Sequence, residues 1–194
     1  SSGLLLRYGI RYDINNIGIH SDFVKLDKLN PSFGLSYSVS SRDNIFFSFG
    51  TSFETPTLNE LSNNPNGTLC PSTCPKLPSY NEELKSNSSQ NYEIGWRKSS
   101  SNLIIEAVAY ITNSNNEILP FELEQFPGKN FYRNVGSTLR KGIELSSQFF
   151  FNRGKLNLSY TLSKNQFKNF EIDDTNFSDN LIPGIPSQML DLDI

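Results

Sequence analysis

No apolar run in this 194-residue sequence approaches the roughly 18 residues of a membrane-spanning helix, which excludes a helical membrane protein. Nor does the sequence open on a basic stretch followed by an apolar one, the mark of a secretory signal peptide. A leader is expected to lie upstream or to have been removed. Cysteine is scarce, at two residues, and there is one His, one Met and one Trp. Charged residues make up 19% of the chain, against the ~25% usual for soluble domains. Ser and Asn fill the difference. A net charge of −3 gives no basic footprint, so nucleic acid is not an expected partner.

Aromatic residues, by contrast, are plentiful. Fifteen Phe and eight Tyr sit in a chain whose mean hydropathy is only −0.42. A β-wall with lipid on one side and water on the other produces that combination, because only every second residue must be apolar.

The period-two pattern runs along most of the chain. Leu4, Leu6, Tyr8, Ile10 and Tyr12 share one face, with Leu5, Arg7, Gly9, Arg11 and Asp13 on the other. Phe33, Leu35, Tyr37 and Val39 oppose Ser32, Gly34, Ser36 and Ser38, and Ile45, Phe47, Phe49 and Phe53 oppose Asn44, Ser48, Gly50 and Ser52. Tyr92, Ile94 and Trp96 alternate with Glu93, Gly95 and Arg97. Leu103, Ile105, Ala107, Ala109 and Ile111 have Glu106 and Tyr110 behind them. Ile143, Leu145, Phe149 and Phe151 oppose Gly142, Glu144, Ser146 and Gln148, and Leu156, Leu158, Tyr160 and Leu162 oppose Asn157, Ser159, Thr161 and Ser163. A further strand begins at "SQMLDLDI".

Short turns are expected at "SSRDN", "KSSSN" and "FNRG", whose residues tolerate tight turns. Longer polar segments, at about 14–30, 54–89, 113–133 and 165–186, read as loops. Short and long links therefore alternate, which in a meander puts the short turns on one rim and the long loops on the other. Outer-membrane barrels show that asymmetry. Aromatics also gather near strand ends, with Tyr12, Phe33, Phe53 and Tyr92 toward the long loops and Trp96, Phe149 and Phe151 toward the short turns. Such rings are stable at the headgroup boundary.

A soluble β-sandwich alternates too, its apolar face forming a core. Against it stand polar faces of Ser, Asn, Gly and Glu, with few of the lysines that guard solvent-facing sheets. The expected fold is all-β: an antiparallel up-and-down transmembrane β-barrel wall of about eight strands, which the resemblance given below makes part of a larger barrel. Leu35, Phe47, Ile94, Leu145 and Leu158 are expected to meet lipid, and Ser36, Glu93, Glu144 and Ser159 the lumen.

Eight phrases carry a family likeness: "GIRYD", "NPSFGLSY", "FSFGTSFETPTLNEL", "QNYEIGWR", "AYITNSNNEIL", "RNVGSTLRKGIEL", "LNLSYTLSKNQF" and "IPGIPSQM". Their order and spacing resemble the barrel of TonB-dependent outer-membrane receptors. The resemblance implies a twenty-two-stranded barrel plugged by an N-terminal domain, importing a scarce nutrient such as a siderophore-iron complex, vitamin or sugar with energy relayed by the TonB complex. It implies outer-membrane lipid, the TonB complex and an extracellular small molecule as partners. Residues 1–194 then form part of the barrel domain, with the plug and C-terminal strands lying outside this sequence. The sequence departs from the family where "LKSNSSQ" (residues 84–90) stands in place of a common Pro-Glu pair.

Cys70 and Cys74, in "CPSTC", lie in the longest loop, and a bent segment of this length brings Cα atoms within the ~7 Å of a disulfide. The compartment implied by the resemblance is oxidising, so a disulfide is expected. The other reading, a thiolate metal site, needs two further ligands, and only His20 is at hand on a different loop. Arg7, Arg11, Glu93, Arg97, Glu106 and Glu144 fall on the polar faces and are expected to line the lumen as charged groups. No catalytic constellation is visible, so neither enzyme activity nor a cofactor is expected. A soluble extracellular sandwich that binds carbohydrate through exposed aromatics is the alternative function. "ETPTLNEL" reads as a turn rooting a loop, or a short helix with Pro56 as its first residue.

Overall fold

In a computed structural model of the chain, residues 3–19, 22–66, 80–172 and 175–194 are described. The alternating segments hydrogen-bond in sequence order as an antiparallel eight-stranded meander: β1 (Gly3–Ile19), β2 (Asp22–Ser38), β3 (Asp43–Glu54), β4 (Asn87–Ser99), β5 (Leu103–Glu122), β6 (Asn130–Phe151), β7 (Gly154–Asn169) and β10 (Gln188–Asp193). A separate two-stranded hairpin, β8 (Glu171–Ile172) and β9 (Thr175–Asn176), interrupts the last connection. A sandwich requires two large sheets packed face to face; here all eight long strands belong to one.

Register turns the alternation into continuous rows. Leu6 faces Leu35, Leu35 faces Phe47, Phe47 faces Ile94, Ile94 faces Ala109, Ala109 faces Ile143, and Ile143 faces Leu162. The next row toward the short turns runs Leu4, Tyr37, Ile45, Trp96, Ala107, Leu145, Tyr160, Leu190. Slipping any one strand by a residue would put its polar set into this apolar face, so the pattern itself pins the register. Ile10 is 73% exposed and Ile94 57%, so the apolar face is not a core in this chain.

Two contacts on the opposite face explain apparent exceptions to the alternation. Phe46 points to the polar side, directly opposite Gly95, and a Cβ at Gly95 would collide with the Phe46 ring. Tyr110 faces Gly142 in the same way, with its hydroxyl 2.8 Å from where that Cβ would stand. Each glycine makes room for the aromatic ring of the neighbouring strand, a device that pins register and covers an otherwise bare backbone.

The strands are longer than expected. Segments read as loops at 14–30 and 113–133 are mostly strand: β1 and β2 each run 17 residues, β5 runs 20 and β6 runs 22. Crossing a bilayer on a tilt takes only about 9–11. The surplus lies beyond the apolar rows, at the end away from the short turns. There both faces meet polar surroundings, and the ladder continues without any need to alternate. In the 165–186 segment β7 likewise extends to Asn169, followed by the β8–β9 hairpin. Val135, Phe167 and Phe170 form a small core there with Leu119, Phe177 and Ile182.

The β3–β4 connection contains helix α1 (Leu58–Ser62), which starts two residues later than Pro56 at its first position would require. Thr57 is the N-cap: its hydroxyl accepts from Glu60 N at 3.3 Å, while the Glu60 carboxylate accepts from Thr57 N at 2.7 Å. This reciprocal box satisfies two backbone donors at the start of the helix. Pro56 is buried just before it. Leu61 and Leu84 then pack against Ile17, Val24, Tyr80, Ile118 and Tyr132. Residues of β1, β2, β5 and β6 thus hold one connection, folded against the polar side of the wall.

Candidate functional site: the polar wall and its mouth

The polar rows collect the charged residues singled out in the sequence. Arg97 and Glu106 are direct cross-strand partners, and the Arg97 Nε donates to Glu106 Oε2. Glu93 accepts from Ser48 Oγ at 3.1 Å and from Asn91 Nδ2, and Asn91 in turn accepts from Thr112 Oγ1 at 2.7 Å. Arg11 pairs with Asp13 at 2.9 Å, and Asn30 Nδ2 donates to the same carboxylate. Glu144 lies in the row of Val108 and Thr161, on the same side. Neither Arg7 nor Glu144 has an ion-pair partner among the described residues. A cavity of ≈ 460 Å³ spans β1 to β5 and includes Arg7, Ser36, Asn44, Phe46, Arg97 and Glu106. These pairs are exposed, so each contributes little stability; their consequence is a hydrated, charge-lined surface.

At the mouth, where the β3–β4 connection meets the wall, the structure reveals a cluster the sequence reading missed. Glu117 is buried, and its carboxylate holds both terminal nitrogens of the Arg140 guanidinium, Nη1 at 2.9 Å and Nη2 at 3.1 Å. Thr138, fully buried, donates its hydroxyl to Glu117 Oε1 at 2.6 Å. Glu117, Arg140 and Ile118 then line a cavity of ≈ 290 Å³ with Glu54, Thr55, Thr57, Glu60 and Asn87. Asparagines stitch the connection to β6: Asn81 Nδ2 donates to Tyr132 O, Lys85 N donates to Asn134 Oδ1 at 2.6 Å, and Asn134 Nδ2 donates to Lys85 O at 2.8 Å. The last two exchange both bonds as a strand pair would, with a side-chain amide replacing one backbone.

Replacing Glu117 by Ala leaves the Thr138 hydroxyl and the Arg140 guanidinium without their acceptor. An orphaned buried hydroxyl costs about 1–3 kcal/mol. Arg140 retains partial access to water, so the total stays below the ~3–5 kcal/mol of a fully buried broken pair. Thermal unfolding of the complete receptor should show the loss, with Glu117→Gln milder than Glu117→Ala. Unchanged unfolding in Glu117→Ala would remove the cluster's anchoring role.

Among the described residues no group of three His, Cys, Asp or Glu side chains is placed to hold a metal. The expected Cys70–Cys74 disulfide lies outside the described residues.

One sheet whose strands follow each other in sequence, apolar on one side and charged on the other, is the wall of an outer-membrane-type barrel. The sequence matches the family model for the TonB-dependent receptor-like β-barrel over residues 1–194, and the chain belongs to that family. Its place is the bacterial outer membrane, and the fold is part of a barrel. Similar solved structures include the FrpB iron transporter of Neisseria meningitidis (F3-3 variant), at 16% identity and TM-score 0.62, covering 92% of this chain and 25% of that one. The alcaligin outer-membrane receptor FauA of Bordetella pertussis matches at 18% identity and TM-score 0.62, covering 97% and 30%. The ferric-catecholate import receptor Fiu of Escherichia coli K12 matches at 18% identity and TM-score 0.61, covering 97% and 29%. The chain thus spans between a quarter and a third of the length of these receptors.

Proposed function

We propose that residues 1–194 are a section of the barrel wall of a receptor that takes up a scarce nutrient across the outer membrane, with energy supplied through TonB. The observation that carries this reading is the family match along the whole sequence, on a sheet with one apolar and one charged face. The apolar rows meet lipid. Arg7, Arg11, Glu93, Arg97, Glu106 and Glu144 line the lumen, where a plug domain outside this sequence meets them. The charges of Arg7 and Glu144, without an ion-pair partner among the described residues, are available to that plug or to lumenal water. The anchored β3–β4 connection overhangs the outer mouth, so a ligand entering the lumen passes the Glu54–Glu60–Glu117–Arg140 cluster. Polar side chains serve here for recognition and passage, not for bond-breaking.

An iron chelate is the preferred nutrient, because two of the similar structures named above are an iron transporter and a ferric-catecholate import receptor. The test is uptake of radiolabelled iron, presented as ferric-catecholate and ferric-hydroxamate complexes, by cells with and without the complete receptor. Uptake that requires both the receptor and TonB is expected. Uptake of either complex that persists without TonB would refute the energy coupling, and no receptor-dependent uptake of either would refute the iron-chelate assignment.

A further inference from the structure

The apolar face carries one pair of residues that its lipid-facing role does not explain. Lys141 on β6 and Lys164 on β7 are direct cross-strand partners. They sit one row beyond Ile143 and Leu162 on the outward side, with Ile111 of β5 beside Lys141 in the same row. Like charges directly opposite one another destabilise a strand pair. Both lysines are exposed, and neither has an ion-pair partner among the described residues.

Their height on the wall follows from the strand. Ten residues separate Phe151, at the short-turn end of β6, from Lys141. At ~3.3 Å per residue and a tilt of about 40°, that rise is close to the ~25 Å of the apolar band of an outer-membrane barrel. The two ammonium groups therefore stand at the outer boundary of the band. Below them lies a shallow outward groove of ≈ 480 Å³, walled by Ile111, Ile143 and Leu162 with the lysines at its upper end. Tyr110, Gly142 and Ser163, whose side positions belong to the polar face, complete its lining.

We propose that Lys141 and Lys164 bind a phosphate-bearing lipid of the outer leaflet, the phosphate bridging the two ammonium groups and an acyl chain lying in the groove beneath. The site commits to a lipid because charge and grease are adjacent: a free anion would use only the lysines and leave the groove unfilled. A bridging phosphate also converts the like-charge opposition into two charge-assisted hydrogen-bonded contacts. Long lysine side chains reach a headgroup from such a position while their methylene stems stay against apolar surface.

The experiment uses the complete receptor, purified in mild detergent and incubated with bis-phosphorylated lipid A, with bound lipid read by native mass spectrometry. Wild type is expected to retain lipid A, and Lys141→Gln/Lys164→Gln to retain at least about tenfold less, while Lys141→Arg/Lys164→Arg stays near wild type. Inorganic phosphate at millimolar concentration should not displace the lipid. Heat-modifiable migration on gels confirms that each variant is folded, and a variant that fails this check is replaced by the corresponding single substitution. Retention unchanged in Lys141→Gln/Lys164→Gln, absence of retained lipid in wild type, or full displacement by inorganic phosphate would each overturn the proposal. Iron uptake is measured in parallel, so loss of the lipid site is distinguishable from failure of the transport reading.

Discussion

Residues 1–194 produced alone in detergent-free buffer will aggregate or form large oligomers, and will not give a monomer that unfolds cooperatively. The reason is the surface the sheet leaves open. Its accessible area is 12926 Å², whereas a compact monomer of 21.9 kDa exposes about 9,300 Å² by the usual scaling with mass. The buried apolar residues among those described are only Leu61, Leu84, Phe131, Val135, Phe167 and Phe170, and they lie away from the long apolar rows. The rows themselves, Leu6 to Leu162 and Leu4 to Leu190, present a continuous greasy face to water. Strands β1 and β10 each have one neighbour, so each also offers a row of unpaired backbone groups to another copy. Lipid does not rescue the isolated piece, because it cannot satisfy those edges. Sedimentation velocity and thermal unfolding monitored by circular dichroism provide the check. A monodisperse monomer with a cooperative transition would contradict the barrel-section reading.

How much of this was legible in the sequence depends on what each segment faces. The rows of Leu35, Phe47, Ile94 and Leu145 could be read directly, because lipid on one side and polar groups on the other force a period of two. Past the apolar band that forcing ends. "INNIGIHSDFVKLDKLN" lost its alternation and looked like a loop, yet most of it remains strand, with Ile17 opposite Val24 and Asn15 opposite Leu26. Backbone pairing does not need an amphipathic pattern; only a face shared between two solvents does. Phe46 broke the pattern for a different reason, and its partner Gly95 becomes visible only once the register places them opposite each other. The Glu117–Thr138–Arg140 cluster is hidden in the sequence because 113–133 lacks alternation and reads as loop, and because Glu117 has Val135 as its register partner, so only side-chain reach brings it to Arg140. At α1, Pro56 drew the helix start two residues too early, whereas the Thr57–Glu60 spacing marks the cap.

Arginine at Ile94 will destabilise the complete receptor far more than arginine at Thr161, although both are exposed or half-exposed positions in the same sheet. Ile94 lies between Phe47 and Ala109 on the apolar face, midway along β4 between Gln90 and Lys98, the polar residues that bound its outward run of Tyr92, Ile94 and Trp96. That places it inside the apolar band, where an arginine on the lipid face of a barrel costs up to about 2–4 kcal/mol, most at the midplane. Converted at 1.4 kcal/mol per factor of ten, even about 2 kcal/mol lowers the folding equilibrium about 30-fold. Thr161 occupies the opposite face beside Glu144, its cross-strand partner. An arginine there meets polar surroundings and gains a carboxylate neighbour, so the change should stay within about 1 kcal/mol. Leu145→Arg, in the row next to that of Ile94, should behave like Ile94→Arg. Urea unfolding of the three variants in lipid vesicles measures the contrast directly. Equal costs at Ile94 and Thr161, or a larger cost at Thr161, would reverse the assignment of faces and with it the placement of every charged residue on the lumenal side.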